Sequence, residues 1–171
     1  MRIFAGMDGI LIRRISARDN YSIAQVIREA LAAYDAPKAG SAMGDPELDY
    51  MDKAYSLEKH AYFIAELNGE IVGGAGVAPL ENATADICEL RKMYLDKRAR
   101  GKGIGARLMQ ACLDQARSFG FQSCYLETFP AMAEAQKLYV KSGFEYLDAP
   151  MGGTGHTACS IWMLKKLGYA D

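Results

Sequence analysis

A run of glycines and basic residues near the middle of the chain has the composition of a phosphate-binding loop. Six residues make up this run: Arg98, Arg100, Gly101, Lys102, Gly103 and Gly105. Glycine lets a backbone approach a ligand closely and adopt positive φ angles. A helical pattern begins at Ile104, and the N-terminus of a helix presents unpaired N–H groups that favour a phosphate. The segment therefore predicts a strand–loop–helix that binds a phosphorylated ligand.

The spacing of these glycines excludes two common phosphate-binding motifs. The pattern G-x-G-x-G differs from the dinucleotide pattern G-x-G-x-x-G, and the chain left after Gly105 is too short for the usual two-half dinucleotide fold. No Ser or Thr follows Lys102, so the segment is not a P-loop. A solvated basic turn remains as the alternative. A nucleic-acid surface is disfavoured, because the charges cluster in one short segment without an aromatic stacking platform.

Composition and length predict one domain in the cytoplasm. The chain has 171 residues, half of them hydrophobic, and a net charge of -1, which argues against a general affinity for nucleic acid or acidic membranes. It has no apolar run of about eighteen residues and no signal-peptide core near its start. Its four cysteines, Cys88, Cys112, Cys124 and Cys159, match no metal-binding spacing. We expect them to be buried apolar side chains and expect no metal site.

Hydrophobic periodicity divides the chain into a β-α-α-β-β-β-α-β-α-β-β order, a mixed α/β sheet. Strands are predicted at 10–16, at both arms of a hairpin within 61–80 that turns at Asn68-Gly69, and at 85–96, 123–128, 144–149 and 159–166. Helices are predicted at 21–34, 47–58, 104–119 and 130–143. Glycines 73, 74 and 76 are expected to leave room for a group lying against the second hairpin strand. Residues 1–9 are predicted to be a disordered extension, and residues 10–171 a single domain.

Two separate motifs resemble the GNAT superfamily of N-acetyltransferases. The segment 100–105, Arg-Gly-Lys-Gly-Ile-Gly, matches the signature (Arg/Gln)-x-x-Gly-x-(Gly/Ala), and it follows a strand and opens a helix. One strand later, "EAQKLYVKSGFEY" is similar to the family's A-x-x-L-Y-x-x-x-G-F segment. The resemblance extends over roughly residues 10–165. It implies the GNAT fold, an α/β (α+β) architecture with a central mixed, mostly antiparallel, splayed β-sheet flanked by helices.

The resemblance also implies an activity. Members of the family move an acetyl group from acetyl-CoA to a primary amine by direct attack in a ternary complex, without a metal. The acceptor is unknown, and acidic residues within 35–52 favour a small cationic amine. A non-catalytic acyl-CoA-binding sensor or interaction domain on the same fold is the alternative. No nucleic-acid or membrane partner is expected, and a homodimer is expected because relatives are often dimers.

The resemblance assigns acetyl-CoA to residues on one strand and on the loop that follows it. The pantetheine arm would lie along Met93, Tyr94 and Leu95. The pyrophosphate would lie on the backbone of Arg100, Gly101, Lys102, Gly103, Ile104, Gly105 and Ala106. Many relatives carry an asparagine where this chain has Met132, so a side-chain contact to CoA is missing from that position.

The resemblance assigns the chemistry to Tyr139 and Glu89. Tyr139 matches the family tyrosine that faces the CoA sulfur, where a phenol can protonate a thiolate. Glu89 is the candidate base for the acceptor amine, and an ion pair with Arg91 is its alternative role. Glu127 and His156 are the candidate residues on the acceptor side; a flexible turn with an exposed histidine is the alternative for His156.

Overall fold

A mixed β-sheet with helices on both faces organises the chain, and the computed structural model describes residues 2–3 and 8–168 of it. The strands are β1 (Arg2–Ile3), β2 (Ile10–Arg14), β3 (Ala61–Leu67), β4 (Glu70–Pro79), β5 (Ile87–Leu95), β6 (Ser123–Thr128), β7 (Glu145–Leu147) and β8 (Ile161–Lys166). The helices are α1 (Asn20–Ala32), α2 (Met51–Ala54), α3 (Ile104–Ser118) and α4 (Ala133–Lys141). The sheet order is β1-β2-β3-β4-β5-β6-β8-β7. Only the β5–β6 pair among these strands is parallel.

The β3–β4 hairpin confirms the prediction made from Asn-Gly. Asn68 and Gly69 both have positive φ, 53° and 84°, as a two-residue type I′ turn requires. This turn matches the right-handed twist of the two strands that it joins. The strands around it are buried on both faces, so the register is fixed by packing as well as by the turn.

Two apolar cores lie on opposite faces of the sheet. On one face α3 packs through a stripe that includes Ile104, Leu108 and Cys112. On the other face α1 packs through Ile27 and Leu31, with Tyr62 of β3 beneath it. Both stripes follow the three- and four-residue spacing seen in the sequence. The sheet is therefore held from both sides at the point where β5 lies.

Three element predictions differ from the structure. The helix expected at 47–58 is only α2, preceded by a 3-10 turn at Pro46–Asp49, because Tyr50 between them has non-helical dihedrals (φ -141°, ψ 44°). The helix expected from residue 130 begins at Ala133, since Met132 has a non-helical ψ of 56°. The strand β1 was not predicted. Most of the predicted extension over residues 1–9 lies outside the described residues.

The glycines of β4 make room for the protein's own side chains. A Cβ at Gly74 would lie 2.5 Å from Cε1 of Tyr62, and one at Gly76 would lie 2.5 Å from Cδ2 of the same ring and 2.9 Å from Cε1 of Tyr55. A Cβ at Gly73 would meet the side chain of Leu95. The expectation that a group lies close against this strand is confirmed, and that group consists of the protein's own side chains.

Cys88, Cys112 and Cys124 are buried and Cys159 is half-buried, and none of the four forms a disulfide. No group of three or more potential metal ligands is found in residues 2–3 and 8–168. In the same part of the chain, no helix is both long and apolar enough to cross a bilayer.

Candidate active site

A cleft opens where β5 and β6 separate. Their parallel pairing is limited to three positions and ends at Glu89 opposite Tyr125. Beyond this point β5 continues to Leu95, and a cleft of about 340 Å³ lies between its end, the following loop and α4. The predicted pantetheine residues Met93, Tyr94 and Leu95 all line the cleft. The edge of β5 that β6 leaves can therefore pair with an extended ligand.

A β-bulge precedes this edge. Gly76 pairs with Arg91 and Gly74 with Tyr94, so Lys92 and the residue after it lie opposite a single residue of β4. Lys92 has a φ of 48°, in the left-handed region. Bulges of this kind change the direction of the strand and of its backbone groups.

The glycine loop lies at one end of the cleft. Gly101 and Gly103 have φ of 73° and 75°, and a Cβ at either position would meet nothing within 4 Å. Gly103 is the N-cap of α3, which begins at Ile104. The loop therefore combines an open backbone surface with the unpaired N–H groups of a fifteen-residue helix. This arrangement fits a pyrophosphate and needs positive φ, which explains the glycines.

The predicted loop residues divide into those that line the cleft and those that do not. The cleft is lined by Arg100, Gly101, Gly103, Ile104, Gly105 and Ala106. Lys102 is exposed on the loop and is not among the lining residues. Arg98 is bonded to Asp96 and Glu70 at 3.0 and 2.9 Å, so its guanidinium is directed away from the loop. The backbone and Arg100 are thus the phosphate-binding groups that line the cleft, and Lys102 is an exposed cation between two of the lining glycines.

Tyr139 lies on α4 and lines the cleft, as predicted. Its side chain is buried and makes an edge contact with Phe144, with ring centroids 6.1 Å apart. Burial raises the pKa of Tyr139 well above its ordinary value, and the nearby thiol of Cys159 raises it further. The phenol therefore stays protonated at neutral pH, as a proton donor must be. Met132 is also buried and lines the cleft, at the position of the family asparagine.

Glu89 lies at the fork where β5 and β6 separate. Its carboxylate is 3% exposed, and its Oε2 accepts a hydrogen bond from Nε of Arg91 at 2.6 Å. Burial raises the pKa of Glu89, and the charge of Arg91 opposes this shift without cancelling it. The ion pair considered from the sequence is present. The second carboxylate oxygen has no hydrogen bond to the described residues.

Glu127, the other carboxylate predicted on the acceptor side, lies on β6. Its Oε1 accepts a hydrogen bond from the hydroxyl of Tyr125 at 2.7 Å, and its Oε2 accepts one from Thr154 at 2.6 Å. No cationic side chain pairs with it among the described residues. The hydroxyl of Tyr125 in turn accepts a hydrogen bond from the N–H of Met151, at 3.1 Å. The loop that precedes β8 is thereby attached to β6.

His156 is not an exposed histidine on a flexible turn. Its Nε2 lies 3.1 Å from Oδ2 of Asp45, and its side chain is 18% exposed. Burial lowers the pKa of His156, but the hydrogen bond and charge of Asp45 raise it by more. The same carboxylate also pairs with Lys92 at 2.8 Å, and Lys92 pairs with Glu47 at 2.7 Å. Two loops that are distant in sequence therefore meet over the bulge of β5.

Sequence reasoning missed several residues around the site. No sequence pattern marks three of them as site residues: Lys92, Tyr34 and Ala30. A lysine is ordinary in a surface strand, and Tyr34 and Ala30 fit the apolar face of a helix. Asp45 was noted only as part of an acidic segment. Cys159 was taken as a core cysteine, yet it lies near Tyr139. Only the folded chain brings these side chains together.

The family model described as Acetyltransferase (GNAT) family matches residues 25–144. The chain therefore belongs to the GNAT acetyltransferase family, and it is an acyltransferase.

One relative is similar in sequence, and two solved structures share the fold. The uncharacterized N-acetyltransferase YjgM of Escherichia coli is 44% identical over 158 residues, which cover 92% of this chain and 95% of YjgM. A GNAT-family acetyltransferase from Staphylococcus aureus has the same fold, with a TM-score of 0.82, 21% identity, and coverage of 93% of this chain and 99% of that one. The yncA protein of Salmonella typhimurium, solved with its cofactor acetyl-CoA, gives a TM-score of 0.74 at 19% identity, covering 94% of this chain and 95% of yncA. The splayed sheet predicted for this fold is confirmed.

Proposed function

We propose that this protein is an N-acetyltransferase that moves an acetyl group from acetyl-CoA to a primary amine by direct attack in a ternary complex. The observation that carries the proposal is the cleft beside the end of β5, which is lined by both the glycine loop and Tyr139. Glu89 is not among the residues that line this cleft; it lies on β5 where the pairing with β6 ends. Cytoplasmic location and a homodimer stay predictions.

The residues of the cleft suit acetyl-CoA as the co-substrate. The N–H groups from Gly101 to Ala106 and the start of α3 would hold the pyrophosphate. The free edge of β5 from Met93 to Leu95 would pair with the amides of the pantetheine arm. The sides of the cleft are largely apolar, with Leu138 on α4. Bound there, acetyl-CoA supplies an acyl group activated as a thioester.

Tyr139 would act as the proton donor to the leaving group. When the amine nitrogen attacks the carbonyl carbon, a C–N bond forms and the C–S bond breaks, leaving a thiolate. Tyr139 gives its proton to that sulfur and regains one from the nitrogen that has become an amide. A phenol with an ordinary pKa of about 10 is already protonated at neutral pH, so Tyr139 holds the proton that it would give to the sulfur.

Glu89 would remove the proton that the acceptor carries as an ammonium ion, and release it to solvent. Its raised pKa, set by burial, makes it a stronger base than an exposed glutamate. Arg91 holds one oxygen and leaves the other for the amine or for an intervening water.

The surroundings of Glu89 favour a small cationic amine as the acceptor. Glu127 has a carboxylate without a cationic partner in the described part of the chain, and it is held in place by Tyr125 and Thr154. A fixed carboxylate that lacks a cation attracts an ammonium group. The cations nearby, Arg91 and Lys92, are already paired with other carboxylates.

The test is release of CoA thiol from acetyl-CoA with a panel of amines: spermidine, amino acids, an aminoglycoside and short peptides. Release with one acceptor class supports the proposal and identifies the substrate class. Glu89→Gln and Tyr139→Phe should each lower kcat while acetyl-CoA still raises the melting temperature. If acetyl-CoA stabilises the protein but no amine releases thiol, the non-catalytic acyl-CoA sensor becomes the better explanation.

A further inference from the structure

The bulge of β5 is fixed through two groups of the same residue. Lys92 has a φ of 48°, a conformation that costs free energy for an L-residue unless the surroundings hold it. Its carbonyl oxygen accepts a hydrogen bond from the hydroxyl of Tyr62 at 2.7 Å, and Tyr62 is fully buried. Its side chain is 2% exposed, and its ammonium group lies between two carboxylates.

The bond from Tyr62 determines the direction of the next N–H. The ring of Tyr62 lies on the face of the sheet over Gly74 and Gly76 of β4, so the carbonyl of Lys92 is turned toward that face. The carbonyl and the N–H of a trans peptide point in opposite directions. The N–H of Met93 therefore points away from the hydroxyl of Tyr62, and Met93 is one of the residues that line the cleft.

The ammonium group of Lys92 fixes the other side of the bulge. Its Nζ lies 2.8 Å from Oδ2 of Asp45 and 2.7 Å from Oε1 of Glu47. Asp45 is itself held by His156, at 3.1 Å. Burial lowers the pKa of Lys92, but Tyr55 and the charges of Asp45 and Glu47 raise it by more, so the group stays protonated.

Stability alone does not account for an ammonium group at this position. Transfer of a charged group from water into the protein is costly, and apolar replacement of a buried ion pair is often neutral or stabilising. Two ion pairs and one hydrogen bond restrict Lys92 to one conformation. A function that requires this fixed conformation of the bulge explains why a charged group is buried here.

We propose that Lys92 is a positioning residue: Tyr62, Asp45 and Glu47 hold it so that the N–H of Met93 is aimed at the thioester carbonyl of the acetyl donor. This inference rests on the proposed function, because it needs acetyl-CoA in the cleft. The N–H then stabilises the negative charge that develops on the carbonyl oxygen, as an oxyanion hole does. Lys92 does not touch the donor; it acts through the peptide that it forms with Met93.

The experiment is isotope-edited infrared spectroscopy of acetyl-CoA labelled with ¹³C at the acetyl carbonyl, bound to the protein without an acceptor. In the wild type the carbonyl stretch should move to lower frequency than in free acetyl-CoA. Tyr62→Phe and Lys92→Met should each lose at least half of that shift, and Lys92→Arg should retain it. In the assay with an active amine, kcat of Tyr62→Phe and of Lys92→Met should fall about tenfold, which is less than the loss seen when an oxyanion donor is removed completely. The KM for acetyl-CoA should change less than about threefold.

Tyr146→Phe is the control. Tyr146 lies on β7, and its hydroxyl donates a hydrogen bond to Oε1 of Gln136 at 3.0 Å. Removal of that hydroxyl should leave the carbonyl frequency unchanged. A melting temperature for each variant shows that it is folded.

Two results would overturn the positioning role of Lys92. One is an unshifted carbonyl in the wild-type complex, and the other is a folded Tyr62→Phe or Lys92→Met variant with the wild-type frequency. Failure of the proposed function looks different. In that case no amine in the panel releases CoA thiol. The wild type still binds acetyl-CoA and the variants still alter its carbonyl frequency, and this result supports the positioning role.

Discussion

Replacing Gly103 with alanine tests the phosphate-binding loop directly. Gly103 caps α3 with a φ of 75° and a ψ of 5°, and a Cβ at this position would meet nothing within 4 Å. The substitution is therefore not opposed by a steric clash with other residues. Its effect comes from the conformation itself, which costs an L-residue about 1–2 kcal/mol.

That cost should appear mainly in the affinity for acetyl-CoA. In the free protein the loop is exposed, so we expect the Gly103→Ala loop to relax toward negative φ and turn its N–H groups away. Binding would then have to restore the original conformation. Since 1.4 kcal/mol corresponds to a factor of ten, a cost of about 1–2 kcal/mol raises the Kd about five- to thirtyfold.

The assay is isothermal titration with acetyl-CoA and with acetyl-pantetheine, which lacks the pyrophosphate. The matched control is Gly120→Ala, at the other end of α3, where φ is 86° and a Cβ would also meet nothing within 4 Å. Gly120→Ala should lower the free energy of unfolding, and Gly103→Ala should lower it less, because its loop relaxes in the free protein. Only Gly103→Ala should weaken acetyl-CoA binding, and it should leave acetyl-pantetheine binding unchanged.

Two outcomes would refute the reasoning. Equal losses of acetyl-CoA affinity in Gly103→Ala and Gly120→Ala would show a general effect of stability. An equal loss for acetyl-CoA and acetyl-pantetheine in Gly103→Ala would show that the loop does not bind the pyrophosphate.

Three further predictions concern the proton donor, the Asp45–His156 pair and the glycines of β4. Tyr139→Phe should lower kcat about a hundredfold, which is the lower end of the range for loss of a general acid, with little change in KM for acetyl-CoA. Unchanged release of CoA thiol in this variant would contradict the role of Tyr139 as proton donor. His156→Gln should reduce the free energy of unfolding most below about pH 6.5, the unfolded pKa of histidine. Because Asp45 raises the pKa of folded His156, this loss of stability should disappear as the pH rises through that raised pKa. Urea denaturation between pH 5 and 9, a range that brackets about 6.5, measures the loss of stability at each pH. A loss that does not depend on pH would exclude the ion pair as its cause. Gly74→Ala should destabilise the protein by about 1–3 kcal/mol, because its Cβ would meet the ring of Tyr62 at 2.5 Å; a wild-type urea midpoint would show that this space is open.

Local rules were sufficient for most elements and for the glycine loop before α3. The hairpin at Asn68-Gly69 depends on two residues that tolerate positive φ, which is a property of the residues themselves. The glycine loop depends on the same freedom at Gly101 and Gly103, followed directly by a helix. Helix boundaries were less certain: α4 starts at Ala133 because backbone dihedrals at Met132 depend on how the preceding loop packs.

The acceptor side was decided by tertiary structure. Glu89 could be recognised as a candidate base, but its burial at the fork of β5 and β6 and the resulting raised pKa require the sheet to be assembled. His156 and Asp45 are far apart in the chain and pair only because two loops meet over the bulge.

The sequence by itself determined the order of the elements, the hairpin turn and the glycine loop, because each depends on conformational preferences of residues adjacent in the chain. Only the tertiary structure decided that Lys92 is held by Asp45 and Glu47 and that Tyr62 bonds its carbonyl. Such contacts depend on the distance between side chains from separate elements, and no local pattern in the sequence specifies that distance.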